Sequence, residues 1–505
     1  MPAKVFSAEL EGINAQPIEV EVDLGVGLHA FNIVGLADKA VNEAKERVNS
    51  ALKNSGAKPP NRENRRITVN LAPAHIKKNG SQYDLAIAVG YLLATKQIRD
   101  FETENKLFVG ELALDGRLRP IHGALNFAES ARGKNFEYLI LPKENANEAS
   151  VIEGLKIIPA ESLSEVVDFL EESKLIPPTR FKAGSPVPLT VPDFSEIRGQ
   201  NHAKRAAVIA AAGGHNLLMV GPPGAGKSLL AQALSGILPG LTREEAIEIT
   251  KIYSSAGLSP GKLFDSRPFR SPHQTASLVS VVGGGTNPKP GEVSLAHRGV
   301  LFLDELPEFP RNILESLRAP MESGAVHVAR ARGTLVFPAK FSLVAAMNPC
   351  PCGYYGDPEK DCRCGAYEVI KYQNKISGPL LDRIDLQVRV PRIKVSELRA
   401  GGGEGEASAE LRQKIYLARK TQAFRFRDLK IKTNAEMSAK QTEEMVFPEL
   451  AAETFLASLD KTKLSPRGYY RLLKTARTIA DLENKEKISA GHLAEAWSYR
   501  FKEEV

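Results

Sequence analysis

Residues 215–238 read HNLLMVGPPGAGKSLLAQALSGIL, and this stretch decides the fold. The apolar run at 217–220 enters a glycine-rich turn. From 227 onward apolar residues recur three and four apart, so the order is strand, loop, helix. Residues 221–228 fit the pattern G-x-x-x-x-G-K-[ST]. Each residue type has a physical reason. Gly221, Gly224 and Gly226 let backbone N–H groups close on phosphate oxygens, with Pro222, Pro223 and Ala225 filling the rest of the loop. Lys227 reaches the β and γ oxygens, and Ser228 offers a hydroxyl to Mg²⁺. The helix that follows adds the positive end of its dipole. ATP and Mg²⁺ are the expected ligands.

Working outward, residues 299–309 (GVLFLDELPEF) form an apolar β run that ends in two carboxylates. Beside a phosphate loop, Asp304 is expected to hold Mg²⁺ through water and Glu305 to polarise the attacking water. A further run at 341–353 (FSLVAAMNPCPCG) places the polar Asn348 at the end of a neighbouring strand. Three strand ends converging on one crevice is the expectation for a doubly wound α/β sheet.

At roughly 150 residues per domain, 505 residues suggest three or four domains. With 43% hydrophobic and 25% charged residues, 40 glycines and 32 prolines, a disordered or fibrous chain is excluded. Five prolines in 177–192 read as a linker, and the glycine-rich 399–408 as a second one. The expected pieces are an N-terminal domain (1–176), an ATPase core (193–398) carrying a cysteine insert at 350–364, and a C-terminal helical domain (409–505). In the last, 444–460 and 467–483 space apolar residues at helical intervals. The first 25 residues lack the apolar core of a signal peptide, and the most apolar stretch, 208–220, is too short to span a bilayer. A cytoplasmic protein is expected.

In order, 221–228, 299–305, the strand ending at Asn348, 377–388 (SGPLLDRIDLQV) and 464–482 (LSPRGYYRLLKTARTIADL) resemble an AAA+ ATPase of the magnesium-chelatase/MCM branch. Over nearly its whole length the chain resembles the YifB/ComM family. The resemblance implies a ring, usually a hexamer, with ATP between subunits and a C-terminal helical lid. On that pattern Arg383 matches the arginine finger and Arg467 the sensor-2 arginine. A cation delivered from a neighbour stabilises transition-state charge and makes hydrolysis depend on assembly. Residues alone leave two plainer readings open: an intradomain ion pair for Arg383 and a surface arginine for Arg467. Residues 197–206 (IRGQNHAKRA) match the segment beside the adenine.

Two segments, 266–291 and 323–356, contain no acidic residue. The first carries Arg267, Arg270 and Lys289, the second Arg330, Arg332 and Lys340, which account for most of an otherwise diluted net charge of +7. The resemblance implies that both face the ring's central pore, where basic loops would grip DNA phosphates without reading sequence. The alternative is that these cations pair with carboxylates from elsewhere in the protein.

All four cysteines fall in C-x-C-x₉-C-x-C: Cys350, Cys352, Cys362 and Cys364. Their number and type suit tetrahedral Zn²⁺ in a reducing compartment, with free or redox thiols as the alternative.

Residues 20–140 resemble the Lon-protease-type domain also found in the RadA recombination ATPase. The resemblance puts Asp84 where the nucleophilic serine belongs and Leu125 where the lysine belongs, so peptidase activity is not expected. Ser81 stands three residues early. Lys77 and Lys78 read as a solvated pair, with contact to DNA as the other possibility. The function expected from these features is an oligomeric ATPase translocating on single-stranded or branched DNA, implied by the resemblance to be branch migration in recombination or natural transformation. The rival is a chelatase-like ATPase that remodels a protein or metal-insertion partner.

Overall fold

The computed structural model describes residues 2–62, 64–182, 191–330, 333–393, 406–459 and 464–500. Two compact units emerge, one of residues 1–186 with 246–264, the other of 187–245 with 265–505. Residues 246–264 lie within the stretch expected to form one ATPase core, yet they pack in the first unit. There Asn126 donates to the Lys251 carbonyl at 3.3 Å, and Ser259 donates to Glu148 at 2.7 Å.

The first unit is built on β1 (Ala3–Glu11), β2 (Asn14–Val26), β3 (Ala30–Val34), β4 (Arg65–Ala72), β5 (Lys106–Phe108), a short hairpin of β6 (Glu111–Leu112) and β7 (Leu118–Arg119), β8 (Tyr138–Pro142) and β9 (Lys156–Ala160). The main sheet runs β3-β4-β2-β1-β5-β8-β9. Pairs β1–β2 and β2–β4 are antiparallel; the others are parallel. Period-two alternation sets the faces: Ile18, Val20 and Val22 are buried, while Glu19, Glu21 and Asp23 between them are not. Helices Lys39–Asn54 and Asp84–Ala94 share that core, and helix Ala124–Gly133 lies in a second one with Leu107 and Leu139.

The second unit is α/β. Its strands are β10 (Leu217–Val220), β11 (Phe269–Arg270), a ribbon of β12 (Gly283–Gly284) and β13 (Lys289–Pro290), β14 (Val300–Leu303), a hairpin of β15 (Ala325–Arg330) and β16 (Gly333–Pro338), β17 (Ser342–Met347) and β18 (Leu386–Arg389). The five-stranded sheet, β11-β14-β17-β10-β18, is entirely parallel. Such a sheet is covered on both faces, which is why β10, β14 and β17 read as unbroken apolar runs. Truncating one of their buried leucines, such as Leu217, to alanine would cost about 2–5 kcal/mol. C-terminal helices Ser408–Arg425 and Pro466–Leu482 pack on helix Asn201–Gly213 and share one core with the sheet. A buried polar chain runs through this core. His215 and Asn434 both meet the Thr478 hydroxyl, at 2.7 and 3.0 Å, and Asn434 and Arg425 bond Asp481. Such a network is stabilising only when fully satisfied.

No described helix is long and apolar enough to cross a membrane.

Candidate functional site

The phosphate loop leaves β10 at Val220. Gly221 is required by packing, since a Cβ there would stand 2.1 Å from the Val390 carbonyl oxygen. Gly224 and Gly226 take left-handed φ values of 75° and 84°, and the space around a Cβ on Gly224 is open. Gly226 caps helix Lys227–Ile237 with no side-chain partner, so the first-turn N–H groups face an open cradle suited to an anion.

Lys227 is 8% exposed. Its ammonium donates to the carbonyls of Gly221 (2.7 Å) and Pro222 (2.9 Å) and to Asn348 Oδ1 (3.1 Å). Burial pulls its pKa below the usual lysine range, and the charges of Asp304 and Glu305 pull it partly back. The acceptors it holds are all neutral, so a phosphate anion would outcompete them. Ser228 Oγ donates to Asp304 Oδ2 at 2.7 Å, and Asp304 Oδ1 accepts the Glu305 N–H at 2.9 Å. Glu305 is exposed, with a left-handed φ of 52°, a conformation that costs a non-glycine residue about 1 kcal/mol or more. That backbone turn separates the two carboxylates: Asp304 faces the loop serine and Glu305 turns to solvent. Lys227, Ser228, Asp304 and Asn348 are thus brought together, with Glu305 adjoining. The Ser228 hydroxyl and the Asp304 carboxylate are oxygen donors of the hard kind that Mg²⁺ sites use.

Arg383 is elsewhere. It precedes β18, which runs parallel to β10, and Asn216 at the start of β10 donates to its carbonyl at 2.8 Å. The loop begins at the other end of β10. Four strand residues put about 13 Å between those ends, so the Arg383 backbone lies at the opposite end of β10 from its own chain's loop. Its guanidinium donates to Glu322 (2.5 Å) and to the Pro379 carbonyl (2.7 Å), and Arg467 donates to the same Glu322 at 3.0 Å.

The four thiols converge. Sγ atoms of Cys350, Cys352 and Cys362 lie 3.4 to 3.7 Å apart, and all four ligand atoms lie within 4.8 Å of one another. Four sulfurs at about 2.3 Å from a central Zn²⁺ stand about 3.8 Å from each other, so the spacing fits. The Tyr355 N–H points at Cys350 Sγ (3.3 Å), and backbone hydrogen bonds from Arg363 and Tyr354 bring the Cys352 thiol down to about 6. The cluster touches the phosphate loop: a Cβ on Gly353 would stand 2.5 Å from Pro223 Cδ.

Among the basic residues, Arg267 is half-buried and paired with Glu245 (2.8 Å), Arg270 forks onto Glu292 (2.6 and 2.7 Å), and Lys340 pairs with Glu436 (2.9 Å). Cations already paired within the unit offer a phosphate little. Arg330 differs: it is exposed at the tip of the β15–β16 hairpin and donates to the carbonyls of Gly285 (3.2 Å) and Thr286, joining the two acid-free segments. Arg332 lies outside the described residues.

In the first unit Asp84 is buried and forked by Arg47 at 2.6 and 3.0 Å, and it accepts the Leu112 N–H. Burial raises its pKa to about 6 against the pull of Arg47. Leu125 is core. Neither position carries a nucleophile or an amine base, and Ser81 donates to Glu111. Lys77 is solvated as expected. Lys78 is not: it is fully buried, its ammonium on the Pro73 carbonyl and its pKa lowered by that burial.

Two residues escaped the sequence reading. Gln200, with a left-handed φ of 54°, donates its side-chain amide to the Ala225 carbonyl of the loop. Glu322 bridges both arginines. Gln200 lies within the 197–206 segment without standing out in it, Glu322 sits in no motif, and each acts through a contact distant in sequence.

The parallel sheet, phosphate loop and Ser228–Asp304 contact define a P-loop ATPase of the AAA+ type. The comparisons agree. Residues 193–398 match the family described as magnesium chelatase, subunit ChlI; 20–145 match subunit ChlI of Mg-chelatase, and 405–500 the ChlI C-terminal family. The chain is 44% identical to competence protein ComM of Haemophilus influenzae, covering 99% of this chain and 97% of that protein. It is 43% identical to YifB of Escherichia coli, covering 97% and 95%. It is 26% identical to the magnesium-chelatase 38 kDa subunit of Rhodobacter capsulatus, covering 59% and 84%. The chain belongs to the YifB/ComM family of magnesium-chelatase-like proteins.

Proposed function

We propose that the protein assembles into a ring, a hexamer, that couples ATP hydrolysis to movement on single-stranded or branched DNA, driving branch migration in recombination or natural transformation. One observation carries the reading: the hairpin tipped by Arg330 returns along β16 and, three residues later, becomes β17, the strand that delivers Asn348 to Lys227. A nucleic acid held at Arg330 is thereby linked to the phosphate site through the backbone of β16 and β17. The competence protein among the relatives supports the choice of DNA as the partner.

Lys227 leaves its carbonyls for the terminal phosphates, and Glu305 orients and deprotonates water, with Asn348 fixing its position. Mg²⁺, held by Ser228 and Asp304, neutralises phosphoryl charge when bound. The location of Arg383 at the opposite sheet edge supports its action on a neighbour's nucleotide, beside Arg467. The C-terminal helices act as the lid, Zn²⁺ on the four cysteines stiffens the loop after Asn348, and residues 1–176 form an inactive Lon-like domain.

The test compares ATPase rates with branched DNA, duplex, single strand and unfolded protein. Branched or single-stranded DNA should stimulate; stimulation by protein alone would favour the remodelling alternative and overturn this reading. Arg330→Ala should lower the salt slope of DNA binding by about one, the loss of one phosphate contact. Arg270→Ala should leave that slope in place.

A further inference from the structure

Glu322 meets two arginines, Arg383 and Arg467, that are 84 positions apart in the chain. Its Oε2 accepts from Arg383 at 2.5 Å and its Oε1 from Arg467 at 3.0 Å, so one carboxylate presents an oxygen to each cation, as a terminal phosphate would. It also sits in the last turn of helix Arg318–Ser323, which ends on Gly324 (φ 68°) and passes directly into β15. A Cβ on Gly324 would stand 2.8 Å from Lys340 Cγ, so the base of the hairpin is tightly packed. Glu322 is 57% exposed, against 10% for the Arg383 side chain. The glutamate is therefore the partner free to move, while Arg383 is also held by the Pro379 carbonyl.

From this geometry we infer that Glu322 is a positioning residue coupling the arginine pair to the hairpin. The inference rests on the function proposed above and supplies its missing link, from a neighbour's nucleotide to the element that holds DNA. While no phosphate faces the arginines, Glu322 occupies them and pins the helix turn at the base of β15. When a neighbour's terminal phosphate takes the arginines, Glu322 is released, and the helix end and hairpin are free to shift together. Hydrolysis and phosphate departure restore the clamp. The carboxylate alternates between two partners, so the element it anchors has two states that the nucleotide biases.

The experiment measures ATP hydrolysis by the full-length protein with and without branched DNA, for the wild type, Glu322→Gln, Glu322→Asp and Arg383→Ala. Glutamine keeps the size and removes the charge, and thermal melting confirms that each variant is folded. Glu322→Gln should lose about fivefold or more of the ratio of stimulated to basal rate, the lower end of coupling between sites. Glu322→Asp, which keeps the carboxylate, should recover most of it. An unchanged ratio in Glu322→Gln overturns the inference while leaving the proposed function intact. Equal loss in Glu322→Asp also overturns it, by showing that bulk rather than charge matters. Absence of DNA stimulation in the wild type, with Arg383→Ala hydrolysing normally, overturns the proposed function and the coupling with it.

Discussion

Ser228 and Asp304 are 76 positions apart and joined by a 2.7 Å hydrogen bond from hydroxyl to carboxylate. This contact brings the first turn of the loop helix onto the end of β14 and sets a hydroxyl and a carboxylate side by side. Ser228→Ala should lower turnover about 10²-fold, the usual cost of one electrostatic partner in the transition state, while Ser228→Thr retains activity. Steady-state hydrolysis at varied Mg²⁺ checks this.

Arg383 stands at the sheet edge opposite its own phosphate loop. Arg383→Ala alone should lose about 10³-fold in turnover and keep ATP binding. Mixed with Lys227→Ala, itself inactive, it should regain measurable hydrolysis, because mixed rings pair an intact loop with an intact arginine. Mixtures as inactive as their components would place Arg383 in its own chain's chemistry.

Gly353 presses on Pro223, so the thiolate cluster and the phosphate loop share a wall. Freshly purified, reduced protein should hold one zinc per chain by elemental analysis, and Cys362→Ser/Cys364→Ser should lose it. That variant should also bind ATP about tenfold more weakly, ~1.4 kcal/mol. Reduced protein without zinc would leave the cysteines as free thiols.

Asp385 is pulled down to about 2. Burial alone would raise it, and this is overcome by His215, Arg471 and the Asn216 N–H. A carboxylate depressed in the folded state stabilises above its unfolded value of 3.8, and the benefit is lost as pH falls toward 2. Its full worth is about 2 kcal/mol. Asp385→Asn should therefore be less stable by about that amount or more at pH 7, and the gap should close between pH 4 and 2. Urea unfolding followed by the single tryptophan, Trp497, measures it.

Much of the nucleotide site was legible because its parts are local. A glycine-rich loop, a β run ending in Asp304 and another ending in Asn348 each announce themselves in a short window, and a parallel sheet has one way of aligning such strand ends. The basic segments were less legible. Arg267, Arg270 and Lys340 look alike in an acid-free window, yet their carboxylates, Glu245, Glu292 and Glu436, come from outside it. Lys78 misled for a related reason, since nothing in KKNG signals which lysine the Pro73 carbonyl buries.

The sequence by itself determined the phosphate loop, the α/β class, the carboxylate and asparagine at the strand ends, and four cysteines close enough to meet. Only the tertiary structure decided that 246–264 pack with the first unit, that Arg383 lies at the end of β10 opposite its own loop, and that Glu322 joins two arginines to the base of a hairpin. The first kind of feature depends on spacing along the chain, which composition and periodicity record. The second depends on which side chains long-range packing brings within 3 Å, and no single window of residues contains that information.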